Sequence, residues 1–180
     1  MAGKMSRKTW IIVAALIVVV GAIVGIVVSC NSSDPSDLTL PIITWNETAL
    51  SAFEGTPVVL NFWSIGCSWC RYQLPFFENV AQQAEAEIKI IAINMVDSAA
   101  RIQTFFGDYE PVMIIALDQN GEAFADYCVA YNNTGRAVPF MLFVDGEGII
   151  QDTKLGAFAS ETELWNTLHD LFGITIPETS

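Results

Sequence analysis

Two cysteines, Cys67 and Cys70, stand three positions apart in the run Asn61-Phe62-Trp63-Ser64-Ile65-Gly66-Cys67-Ser68-Trp69-Cys70. On a helix this spacing is about one turn, near enough for the two sulfurs to close a disulfide. A helix starting at Cys67 leaves that sulfur exposed, and the unpaired amides and dipole there stabilise its thiolate. Cys70 then lies deeper. One thiol attacks a foreign disulfide and the other resolves the mixed disulfide. The same pair also reads as a structural disulfide or as half of a zinc site. Zinc would need two more ligands, and beyond carboxylates only Cys30, Cys128 and His169 remain.

The elements around the pair must place it at a strand-to-helix junction. Pro57–Trp63 is rich in β-formers and reads as a buried strand. Cys67–Ala86 reads as a helix, with Leu74, Phe77 and Val80 at helical spacing. Ile88–Met95 is a second buried strand. Asp97-Ser98 caps a helix that runs to Gly107. A short strand over Pro111–Leu117 and a short helix over Glu122–Tyr131 follow. Pro139–Val144 and Gly148–Thr153 form a hairpin across residues 145–148. Ser160 with Glu163 has the pattern of a capping box for a last helix, with Leu164, Leu168, Leu171 and Phe172 on one face. Ahead of these, Leu38–Ile43 and Trp45–Leu50 suggest a small β excursion around Asn46. A βαβ unit followed by a helix and a hairpin predicts a mixed sheet with helices on both faces.

Composition narrows the function class. The chain has 180 residues, enough for one ordinary domain and a tail. Its net charge of −12 argues against a nucleic-acid partner, because a phosphate backbone needs a basic surface. The single His removes most His-based metal sites and Ser-His or Cys-His catalysis. Residues 10–28 carry no charged side chain, and Lys4, Arg7 and Lys8 precede them. All 20 acidic residues come later, against five basic ones. A positive end before an apolar run keeps the amino terminus in the cytoplasm and sends the remainder across. As a helix, the run would span about 28 Å, close to the thickness of a bilayer core. The run ends Val27-Val28-Ser29-Cys30, which resembles the lipobox of bacterial lipoproteins, with Cys30 as the lipid-bearing residue. An uncleaved anchor helix and a cleaved lipoprotein signal both remain open, and both tether residues 31–180 outside a bacterial cell membrane. The expected division is 1–30 anchor or signal, 31–37 linker and 38–176 a folded domain.

The stretch GTPVVLNFWSIGCSWCRYQLPFFENV is similar to the active-site strand and helix of thioredoxin-like proteins, in particular the membrane-tethered TlpA/ResA group. Residues 37–57 resemble that group's lead-in, and residues 118–131 resemble the element inserted in the centre of its fold. Arg136-Ala137-Val138-Pro139-Phe140 stands where the family has its cis-proline loop. The resemblance implies an α/β thioredoxin-like fold, a central mixed sheet flanked by helices, with an amino-terminal β extension and a central insertion. It implies Cys67 as attacking thiol, Cys70 as resolving thiol, and a cis Pro139 beside them. The Val138 backbone would then pair with an extended substrate. On sequence alone, Pro139 is equally an ordinary strand-start proline. Trp69, beside the cysteines, is a candidate partner contact, while Trp63 is expected to pack beneath the site.

Departures from the family pattern matter. Gly66 replaces a frequent Trp. Asn61 stands where thioredoxin has a buried Asp, and Gln73 where TlpA/ResA relatives often have a Glu. Amides cannot accept a proton from Cys70, so Asp97, Glu110 or water would have to serve. Position 73 either reaches the sulfurs' surroundings or faces solvent. Cys128 reads as a buried small hydrophobe, with redox chemistry as its alternative. His169 reads as an ordinary helical residue. The implied function is a membrane-tethered thiol–disulfide oxidoreductase of the reductase type, as in cytochrome c maturation, with no cofactor and no metal. Its partners would be protein thiols or disulfides and a membrane electron donor, and the acidic surface would favour basic proteins. An oxidant of thiols, a thiol peroxidase-like redoxin and a non-catalytic binding module are the alternatives. The peroxidase reading lacks a Pro-x-x-x-Thr-x-x-Cys pattern before Cys67.

Overall fold

A computed structural model describes residues 39–40 and 48–175. The anchor or signal, Cys30 and the linker lie outside the described residues. The centre of the fold is strand β3, Val58–Trp63, whose six residues are all buried. Around it the strands β4 (Lys89–Asn94), β5 (Ile114–Leu117), β6 (Phe140–Val144) and β7 (Ile150–Leu155) form one sheet in the order β5-β4-β3-β6-β7. The β3–β4 and β4–β5 pairs are parallel, whereas β3–β6 and β6–β7 are antiparallel. A separate two-stranded antiparallel pair joins β1 (Thr39–Leu40) to β2 (Thr48–Ala49).

The central strands are apolar on both faces because helices cover both. Val59, Trp63, Ile90, Ala92, Met141 and Phe143 point to one side. There they pack with helices α1 (Ser68–Gln83), α2 (Ala99–Phe106) and α4 (Glu161–Phe172). Val58, Leu60, Phe62, Ile91, Ile93 and Leu142 point to the other, against α3 (Glu122–Ala130). The expected mixed sheet with helices on both faces is therefore the observed architecture. β7 is one of the sheet's two edge strands, and none of its residues is buried.

Local chemistry sets the boundaries. Ser98 Oγ accepts the Arg101 N–H and starts α2, which stops at Gly107 with φ 60°. Asp97, expected to share that cap, is used elsewhere. Ser160 Oγ caps α4 by accepting the Glu163 N–H. The reciprocal half of the capping box does not form: Glu163 Oε2 takes the N–H of Ala159 instead. Helix α1 runs through Pro75, which can donate no bond to the preceding turn. The second of the two expected amino-terminal strands ends at Ala49 rather than Leu50, because Leu50–Phe53 forms a 3-10 helix.

Candidate redox site

Strand β3 ends at Trp63, and the chain crosses four residues before α1 begins at Ser68. Trp63 is fully buried, its ring 5.6 Å from that of Phe105 and 6.2 Å from that of Phe106. It fixes the base of the loop on α2, as expected of it. The Cys67 N–H donates to Ser64 O at 3.2 Å, turning the chain, and Cys67 occupies the N-cap of α1. Its Sγ accepts the Cys70 N–H at 3.1 Å, so the sulfur sits on the unpaired amides of the first turn.

The two sulfurs are bonded to each other, S–S 2.17 Å, with Cα atoms 5.2 Å apart. Their environments differ. Cys67 is partly exposed, whereas Cys70 is completely buried against the core of the α1 face. The Val138–Pro139 peptide bond is cis, and Cys67 Sγ lies 3.7 Å from the Val138 carbonyl oxygen. Cys67, Cys70, Val138 and Pro139 therefore meet at one place although 68 positions separate Cys70 from Val138. The segment before Pro139 is clasped by Asn133, whose Oδ1 accepts the Ala137 N–H and whose Nδ2 donates to Ala137 O. Sequence reasoning passed over Asn133; the Asn132-Asn133-Thr134-Gly135 turn was its signal.

Trp69 is 65% exposed beside the disulfide. It begins an edge-to-face row with Tyr72 and Phe76 along α1, and Tyr72 Oη donates to Ala159 O. Two side chains grip the loop itself. Asp97 Oδ2 accepts the Ile65 N–H at 2.8 Å, and the Arg71 guanidinium donates to Ile65 O. Glu110 is exposed. Of the two carboxylates considered as substitutes, Asp97 is the one that reaches the redox loop.

Beneath the pair, Asn61 and Gln73 are both fully buried. Gln73 Nε2 donates to Asn61 Oδ1 at 3.3 Å and faces Met141 Sδ at 3.4 Å, while its Oε1 accepts the Phe158 N–H. The solvent-facing alternative for position 73 is thus excluded. Cys128 is buried on the opposite face of the sheet, and burial pushes its thiol up from the ordinary range, with Arg136 and Asn133 pulling the other way. His169 is exposed, 3.4 Å from Asp170. Neither joins the pair.

Comparison with known proteins agrees with this geometry. Residues 34–153 match the AhpC/TSA family. The chain is 26% identical to the thioredoxin-like protein YneN of Bacillus subtilis over 128 residues, 69% of this chain and 71% of that one. It is 27% identical to the thiol-disulfide oxidoreductase ResA of Oceanobacillus iheyensis over 109 residues, 60% of this chain and 54% of that one. The match thus spans little more than half of that ResA. The solved structure of MTB dsbF superposes with a TM-score of 0.64 at 22% identity, covering 77% of this chain and 97% of that one. Its fold is the same thioredoxin-like α/β fold.

Proposed function

The chain belongs to the AhpC/TSA family, and from that premise we propose that it is a thiol–disulfide oxidoreductase that reduces protein disulfides. The carrying observation is the asymmetry of the bonded pair: a partly exposed Cys67 and a buried Cys70 beside the cis Val138–Pro139 peptide. In the reduced protein the Cys67 thiolate, stabilised by the α1 amides, attacks one sulfur of a substrate disulfide. A mixed disulfide forms and the other substrate sulfur leaves as a thiolate, which takes up a proton. Cys70 gives its proton to water, and its thiolate then attacks Cys67 Sγ and closes the Cys67–Cys70 bond. The substrate's second thiol is released, and two electrons have passed to the substrate. A dithiol donor restores the pair by the reverse exchange.

The cis-proline loop supports substrate docking. Extended chain laid along Val138 would pair with its backbone and bring a cysteine over Cys67, with Trp69 as a neighbouring contact. The finer assignment, a reductase tethered outside a bacterial cell membrane and serving cytochrome c maturation, rests on the likeness to the TlpA/ResA group. It rests also on the apolar run before Cys30. The acidic domain suits a basic substrate. Mass spectrometry of the membrane-extracted protein tests the tether. A mature chain beginning at a lipidated Cys30, or an intact chain held by residues 10–28, supports it, and recovery in the soluble fraction contradicts it.

Insulin reduction with dithiothreitol tests the activity. The native chain should accelerate it, Cys67→Ser should abolish the acceleration, and peroxide should not be consumed. Peroxide turnover without insulin reduction would move the chain to the peroxidase reading. Neither activity would make it a binding module.

A further inference from the structure

Asp97 is a buried carboxylate, its side chain 2% exposed, on the segment between β4 and α2. Its two oxygens do different work. Oδ2 accepts the Ile65 N–H at 2.8 Å and the Asn94 Nδ2–H at 3.0 Å. Oδ1 meets the Arg101 guanidinium at 2.8 Å. Asn94 is itself held, its Oδ1 accepting the N–H groups of Val96 and Asp97. The carboxylate is thus braced from behind and aimed at a single peptide of the loop that carries Cys67.

A negative charge held on the Ile65 peptide, two positions before Cys67 in the same loop, disfavours a thiolate nearby and raises its pKa. Arg101 sits on the oxygen that does not touch the loop. On the basis of the redox function proposed above, we infer that Asp97 is a positioning residue for the redox pair. Its Oδ2 fixes the peptide that presents Cys67, and Arg101 on Oδ1 offsets the charge this placement brings near the Cys67 thiolate. Among the described residues, Arg71 also grips the loop, donating to Ile65 O from α1, and Arg136 on the segment before Pro139 acts on Cys128. Neither touches Asp97, so the Asp97–Arg101 pair is separable by substitution.

Two variants act in opposite directions. Arg101→Gln leaves the hold on Ile65 intact and leaves the carboxylate without its guanidinium. Arg101 is 63% exposed, so the change opens no cavity in the core. Asp97→Asn, with its amide oxygen on Ile65, keeps the loop bond and removes the charge. The reading is the pH midpoint of Cys67 alkylation by iodoacetamide in the reduced protein. Arg101→Gln should raise the midpoint and Asp97→Asn lower it, each by about 0.3–1 pH unit, the size expected of one partly screened charge. A second reading is hydrogen exchange of the Ile65 amide. Protection should persist in Asp97→Asn and fall about tenfold or more in Asp97→Ala, as a lost hydrogen bond requires. A purely structural Asp97 would leave both midpoints unchanged or move them together, and either result overturns the inference. Equilibration of the native pair with glutathione separates this from failure of the functional reading. A pair that exchanges normally while the variants do not diverge sinks the Asp97 role alone, and a pair that does not exchange sinks both.

Discussion

Gln73 and Asn61 lie against each other beneath the redox pair, both fully buried, with Gln73 Nε2 donating to Asn61 Oδ1 at 3.3 Å. The contact joins α1 to β3 at the positions where the resemblance to thioredoxin-like proteins implies a carboxylate. Gln73 also accepts the Phe158 N–H, so one amide ties three segments together. Neither group takes a proton from Cys70.

Replacing Gln73 by Glu puts a carboxyl in this pocket. Its oxygen still accepts from Phe158, but burial disfavours the charged form and holds its folded pKa above the unfolded value of about 4.3. A raised carboxyl pKa gives stability that is full below the unfolded pKa and lost as pH rises through the folded one. Gln73→Glu should therefore unfold near the native midpoint at pH 4. Between there and pH 8 it should lose about 1.4 kcal/mol for every tenfold weakening of the carboxyl as an acid on folding. The new charge should also raise the thiol pKa values of the pair and steepen the pH profile of turnover near neutrality. Thiolate absorbance titrations that superimpose on the native curve would place position 73 outside the proton path.

The two cysteines should behave unequally. Cys67, partly exposed on the α1 amides, should react first with iodoacetamide, and Cys70 should lag by about tenfold or more because it is buried. Cys70→Ser should accumulate mixed disulfides through Cys67, visible as mass adducts lost on reduction. Equal alkylation rates for the two thiols would refute this division of labour.

Glu78 secures the far end of α1. Its carboxylate accepts from Tyr109 Oη at 2.7 Å, Val112 N–H at 2.9 Å, Met113 N–H at 3.1 Å and Gln82 Nε2 at 3.0 Å. Burial pushes its pKa up, but these hydrogen bonds together outweigh burial and hold it below the ordinary 4.5. A depressed carboxyl pKa stabilises the fold above the unfolded pKa, and that contribution is lost as pH falls through the folded value. Glu78→Gln should cost about 1–3 kcal/mol at pH 7. The gap from the native protein should narrow below pH 4.5, as read from urea unfolding at several pH values. A gap independent of pH would show that the charge of Glu78 contributes nothing.

Much of the site was legible because its signals are local. The Cys67–Cys70 spacing, the β-rich run before it and the caps at Ser98 and Ser160 each lie within a few residues of what they determine. Position 73 was also within reach: Cys70, Gln73, Leu74 and Phe77 share one helical face, so the stripe that buries Leu74 buries Gln73. The grip of Asp97 on Ile65 spans 32 positions. Its existence depends on β4 lying parallel beside β3, which brings the two strand ends together. No local pattern encodes that bond, and the capping preference of an Asp-Ser pair pointed to a different role.

The reduction potential of the Cys67–Cys70 pair, from equilibration with glutathione or a dithiol of known potential, decides the direction of electron transfer. A protein disulfide reductase requires a dithiol that gives up electrons in an oxidising compartment. The pair should have a potential more negative than about −200 mV, toward the thioredoxin value of about −270 mV. A potential near the strongly oxidising −120 mV or so of DsbA would reverse the direction of transfer and contradict the reductase reading.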